Sequence, residues 1–146
     1  MACQAAELLN YARPRQLGRV TRADGLYHFA GAETGLVPDI GFYAAERRAL
    51  ITDRRKPIPF APDLAVEVAL PSQMADELAA KARLYLSGGT RLVRVIWPSS
   101  QHIDVWHAGH MVGPVTSLNS SDTLDGEDVV PGFAYPVADV FADPLD

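Results

Sequence analysis

The chain has 146 residues, 48% hydrophobic and 21% charged, which is the length and make-up of one globular domain over residues 1–146 that buries a core without covalent staples. One cysteine, Cys3, sits near a terminus and is read as inert, which excludes a disulfide framework and fits a reducing, cytoplasmic setting. No apolar run approaches a membrane span, and no signal-peptide pattern opens the chain. The net charge of −5 is uneven: all thirteen Lys and Arg fall within residues 1–94, which carry ten acids, leaving +3 there, whereas residues 95–146 carry eight acids and no Lys or Arg.

Residues 4–12, "QAAELLNYA", favour a helix, which "RPRQLG" ends with Pro and Gly. "GRVTRADGLYHFA" reads as a hairpin turning at Asp24-Gly25. A short strand is expected around residues 36–43, then a basic segment with Arg47, Arg48, Arg54, Arg55 and Lys56. Residues 63–70 form the next strand. "PSQMADELAAKARLYLSGG" is the clearest helix, with Ser72 as N-cap, Asp76 and Glu77 at the positive end of the dipole, and Gly88-Gly89 as the stop. "TRLVRVIWPSSQHIDVWHAG" gives two strands joined at Pro98-Ser99-Ser100. "DTLDGEDVVPGFAYPVADVF" is a loop, a turn at Pro131-Gly132 and a short terminal segment. The order implies a mixed α/β (α+β) fold, helices flanking a central sheet.

The strand "PFAPDLAVEVALPS" raises a chemical question. Side chains alternate faces along a strand, so Leu64, Val66, Val68 and Leu70 share one face and Asp63, Ala65, Glu67 and Ala69 the other. In "LVPDIGFY", Asp39, Gly41 and Tyr43 likewise share a face, so Asp39 and Glu67 become neighbours if the two strands pair. Two strand carboxylates, a backbone carbonyl such as that of Val68, and waters make a hard-oxygen site suited to Mg²⁺. In the following helix, Leu78, Lys81, Ala82 and Tyr85 form one stripe. Lys81 either reaches Glu67 or lies over apolar surface with its charge in water.

"VPDIGFYAAERR", then "APDLAVEVALPS", then a helix with Lys, Tyr and Gly-Gly, resembles the Uma2 family, the bacterial DUF820 proteins, over about residues 5–141. That family looks like a branch of the PD-(D/E)XK nuclease superfamily. The resemblance implies a restriction-endonuclease-like fold with a central mixed sheet, and a Mg²⁺- or Mn²⁺-dependent endonuclease hydrolysing DNA. Asp39 then matches the first metal-binding acid, Glu67 the second and Lys81 the helix lysine. Asp63 is either a supporting metal ligand or a strand-opening residue, and Glu7 is a candidate helix glutamate. The lysine that usually follows the strand acid by two residues is replaced by Ala69. Leu70 stands where the family has Ser, Arg94 where Trp is common and Trp97 where Asp is common. The chain is expected to lack the strand or two that precedes the first helix in relatives.

The basic segment, Arg47, Arg48, Arg54, Arg55 and Lys56, is either a grip for DNA phosphates or a solvated loop. The acidic final third is either a sign that a polyanion binds the earlier part or a solvated face. "HAGH", with His107 and His110, has no evident third metal ligand and is read as surface. Trp97 and Trp106 are expected to pack the sheet. The glycine-rich stretch "GLYHFAGAETG" lacks the spacing of a phosphate-cradling loop. A homodimer is expected, since cutting both strands of a duplex needs two sites or two visits. The competing reading is an inactive nuclease fold that binds nucleic acid or protein, with a dimerising structural subunit behind it.

Overall fold

The computed structural model describes the backbone of residues 2–142 and the side chains of residues 5–142; the thiol of Cys3 lies outside the described side chains. The elements in order are α1 (Ala2–Ala12), β1 (Gly18–Thr21), β2 (Tyr27–Phe29), β3 (Ala32–Leu36), β4 (Ile40–Ala44), a 3-10 helix (Ala45–Leu50), β5 (Leu64–Val68), α2 (Ala75–Ser87), β6 (Leu92–Trp97), β7 (His102–His107), β8 (Thr116–Leu118), β9 (Thr123–Asp125), β10 (Ala134–Pro136) and α3 (Val137–Val140).

Six strands form one mixed sheet in the order β1-β4-β5-β6-β7-β8. Within it, β5 and β6 are parallel and the other neighbours antiparallel. A parallel pair needs a crossover, and α2 supplies it. The strand alternation divides the core in two. Leu64 and Val66 join α1 (Leu8, Ala12) and the C-terminal segment (Val129, Val130, Phe133) on one face. Ala65 and Ala69 join α2 (Leu78, Ala82, Tyr85) and the β2–β3 hairpin (Tyr27, Phe29) on the other. Both faces are covered, so the face carrying Glu67 lies inside the protein.

Two local expectations are corrected. The turn at Asp24-Gly25 exists, with the Gly25 N–H donating to Arg22 O at 3.0 Å. Its flanking strands, however, do not pair: β1 pairs with β4, and β2 pairs with β3. Gly25 lies close over β1, where a Cβ would fall 2.5 Å from the Thr21 side chain. Tyr27 then lies on β4 at Gly41, its hydroxyl 2.8 Å from Thr21 Oγ1, where a Cβ on residue 41 would clash with both. The strand expected at 36–43 is accordingly the end of β3 and most of β4.

Ser72 is not the N-cap of α2. The helix begins after Met74, with no side-chain cap. A turn precedes it, closed by Gln73 N–H to Leu70 O (3.0 Å) and Leu70 N–H to Gln73 Oε1 (2.9 Å). Asp76 and Glu77 do occupy the first turn of α2. Trp106 is buried in the sheet, whereas Trp97 is half-buried and its indole N–H donates to Asp104 Oδ2 at 3.0 Å.

Candidate active site

Asp39 and Glu67 meet because β4 and β5 pair antiparallel with Ile40 opposite Val66. Continuing that register by one residue sets Asp39 opposite Glu67. Asp39 is exposed, just before β4, and its Oδ2 accepts the Val68 N–H at 2.7 Å. This bond extends the strand ladder with a side chain and fixes the carboxylate against β5. Glu67, only 4% exposed, stands between Ala65 and Ala69. Those two small residues let α2 pack down on either side of it.

The stripe of α2 explains what touches Glu67. Leu78, Ala82 and Tyr85 are buried. Lys81 lies on the edge of the same stripe, with its side chain about one-third exposed, and its Nζ approaches Glu67 Oε2 at 3.5 Å. Tyr85, one turn further on, donates its hydroxyl to Glu67 Oε1 at 3.0 Å. Residues four apart on a helix lie on one face, so Lys81 and Tyr85 reach the same carboxylate, one on each oxygen.

Burial pushes the Glu67 carboxyl up to about 7; Lys81 and the Tyr85 hydroxyl hold it down, and the neighbouring charge of Asp39 raises it again. Tyr85 is pushed up by burial, then by Glu67. A carboxyl poised near neutrality beside a second carboxylate is a site where a cation would relieve both desolvation and repulsion. The donor set fits a hard divalent ion: two carboxylates on adjacent strands, of which Asp39 faces solvent. Among the described residues no third His, Cys, Asp or Glu joins them in a metal-binding group. Mg²⁺ is commonly held by one or two carboxylates with several waters retained.

The family model for Uma2, described as "Putative restriction endonuclease", matches residues 5–138. This chain belongs to the Uma2 family. Among solved structures it is similar to one described as a "putative nuclease belonging to DUF820 from Anabaena variabilis ATCC 29413", with a TM-score of 0.77 and 17% identity. That likeness covers 96% of this chain and 76% of the other, and at this identity it shows the fold. No curated protein matches. No helix among the described residues is long and apolar enough to cross a membrane.

The other residues singled out in this Uma2 chain lie elsewhere. Asp63 is buried at the far end of β5. Its Oδ2 accepts the Ala44 N–H at 2.7 Å, and its Oδ1 pairs with Arg47 at 3.1 Å and Arg91 at 3.4 Å. Arg47 also donates to Ala61 O and stacks 4.0 Å over the Phe60 ring. Arg55 pairs with Asp53 at 3.2 Å. Arg48, Arg54 and Lys56 are exposed. Glu7 is exposed on α1, which packs on the face of the sheet opposite Glu67. His107 pairs with Glu127 at 2.8 Å, and His110 is exposed.

Two buried polar residues go beyond the sequence pattern. Tyr85 belonged to the apolar stripe, and a buried tyrosine needs a partner for its hydroxyl; that requirement was the available signal. Arg94 is fully buried, which lowers its guanidinium to about 10, and it donates to Asp125 O at 2.5 Å. It ties β9 to the sheet on the face away from Glu67. No periodicity distinguishes such an arginine from the apolar residues flanking it.

Proposed function

We propose that this Uma2 protein is a divalent-metal-dependent endonuclease that hydrolyses DNA phosphodiester bonds. The observation that carries the reading is that Lys81 meets Glu67 Oε2 at 3.5 Å while Asp39, held on the Val68 N–H, sits at the register position opposite Glu67. Asp39 and Glu67 would hold Mg²⁺ or Mn²⁺, which supplies Lewis-acid polarisation of the phosphoryl oxygen and stabilises the leaving oxygen. Water attacks phosphorus and gives up a proton to solvent, a new P–O bond forms, the bond to the leaving sugar oxygen breaks, and that oxygen takes a proton from solvent. Lys81 places one ammonium at this point, where it orients the attacking water and offsets charge on the phosphate. Tyr85 fixes the Glu67 carboxylate from below, so that Oε2 faces the site. A homodimer would present one such site to each strand of a duplex.

The test is plasmid cleavage by purified protein in Mg²⁺ or Mn²⁺, beside Glu67→Ala and Lys81→Ala. Cleavage by the wild type that both substitutions abolish is the expected outcome. Ala69 at the usual lysine position favours a second reading, an inactive scaffold that binds nucleic acid. Salt-dependent DNA binding without cleavage in either metal would select it.

A further inference from the structure

Beside the acid pair the surface opens into a groove of about 570 Å³, lined by Arg22, Ala23, Asp24, Val37, Pro38 and Asp39. Asp39 therefore belongs both to the acid pair and to the groove. The opposite wall is the turn after β1, and it is internally braced. The Arg22 N–H donates to Asp24 Oδ1 at 2.9 Å, and Arg19 pairs with Asp24 Oδ2 at 3.1 Å. With both oxygens engaged, the Asp24 carboxyl is held below its ordinary range, chiefly by the Arg22 backbone bond. Arg19 offsets its charge. The Arg22 side chain is exposed, and no described carboxylate pairs with it. Val37, 43% exposed, adds an apolar surface to the same groove.

We infer that this groove carries the backbone of the polynucleotide substrate to the acid pair, with Arg22 holding a phosphate next to the one that reacts. The inference rests on the proposed nuclease reading and adds the substrate path to it. A guanidinium is suited to this task because it meets phosphate oxygens through two parallel N–H bonds. The apolar side of a sugar can pack on Val37. The basic segment is less suited to the reacting phosphate. Its anchor, Arg47, is bound to Asp63, four residues and about 13 Å along β5 from Glu67 at strand spacing.

The experiment measures fluorescence anisotropy of a labelled DNA duplex, and of the matching single strand, titrated with full-length protein in EDTA at several salt concentrations. Arg22→Gln should weaken binding about fivefold and reduce the salt slope by about one. Arg48→Gln, also at an exposed position, should change both less. In Mn²⁺, Arg22→Gln should raise KM for plasmid cleavage and leave kcat near the wild-type value. Unchanged affinity and salt slope in Arg22→Gln, or no binding of either probe by the wild type, would overturn the groove assignment. Binding that depends on Arg22 without cleavage in either metal would sustain the groove and remove the nuclease reading instead. Preference for the single strand or the duplex tells which form of backbone the groove accepts.

Discussion

The hydroxyl of Tyr85 donates a 3.0 Å hydrogen bond to Oε1 of Glu67 inside the protein, while Oε2 faces Lys81. This division of one carboxylate between a buried donor and an accessible ammonium defines how Glu67 presents itself. Tyr85→Phe keeps the ring and removes the donor. It should cost about 1–2 kcal/mol of stability, the usual effect of leaving a buried acceptor without its partner. Urea unfolding followed by far-UV circular dichroism would measure it; an unchanged midpoint would mean that the bond does not form.

The Glu67 carboxyl gives the metal-free protein a specific pH response. Its value rises from an ordinary 4.5 to about 7 on folding, so between these the folded state binds more protons than the unfolded state. Its contribution is therefore most favourable below about pH 4.5 and is lost as pH rises through 7. The loss amounts to about 3 kcal/mol. Glu67→Gln should remove it, so the difference in stability between variant and wild type should grow in favour of the variant from pH 5 to pH 8. Urea titrations at those pH values, in EDTA, would show the trend; a constant difference would contradict it.

Asp63 and Glu67 lie on the same face of the strand but should differ in what their removal does. Asp63 binds a backbone N–H and two arginines, so Asp63→Ala leaves the Ala44 N–H without its acceptor and both arginines without this carboxylate. A loss of about 2–4 kcal/mol is expected, less than for a fully buried pair because both arginines are partly exposed. Glu67→Ala should cost far less and abolish cleavage. Thermal unfolding and plasmid cleavage of the two variants, measured side by side, would separate a structural acid from one needed for cleavage.

A divalent ion should stabilise the native protein by binding it and not the unfolded chain. At a hundred times its dissociation constant the gain is about 2.7 kcal/mol. Millimolar Mg²⁺ or Mn²⁺ should raise Tm of the wild type, and Asp39→Asn should lose the response. If neither ion moves Tm, the assignment of Asp39 and Glu67 to metal fails.

The features legible in the sequence are those set by period and local order. Alternation placed Ala65, Glu67 and Ala69 together, and the spacing of Leu78, Ala82 and Tyr85 turned Lys81 toward them. What was hidden depends on contacts between distant segments. The Arg22–Gly25 turn resembles a hairpin turn, yet β1 pairs with β4, because sheet neighbours are chosen by burial across the whole chain. Ser72 has the chemistry of a cap, but the turn at Leu70–Gln73 delays the helix. Arg47 looks like a phosphate contact until Asp63, Ala61 and Phe60 are seen to hold it.

The carboxylate that bonds to Val68 comes from 29 residues earlier in the chain, and the hydroxyl that holds Glu67 from 18 residues later. Neither half of the site can assemble within a local segment, so the site exists only after β4, β5 and α2 have docked. If docking completes after the folding transition state, an ion bound by Asp39 and Glu67 acts on unfolding alone. Stopped-flow kinetics should then show refolding rates indifferent to Mn²⁺ and unfolding rates slowed by it. The ion would serve as a latch on the finished fold, with no part in guiding the chain toward it.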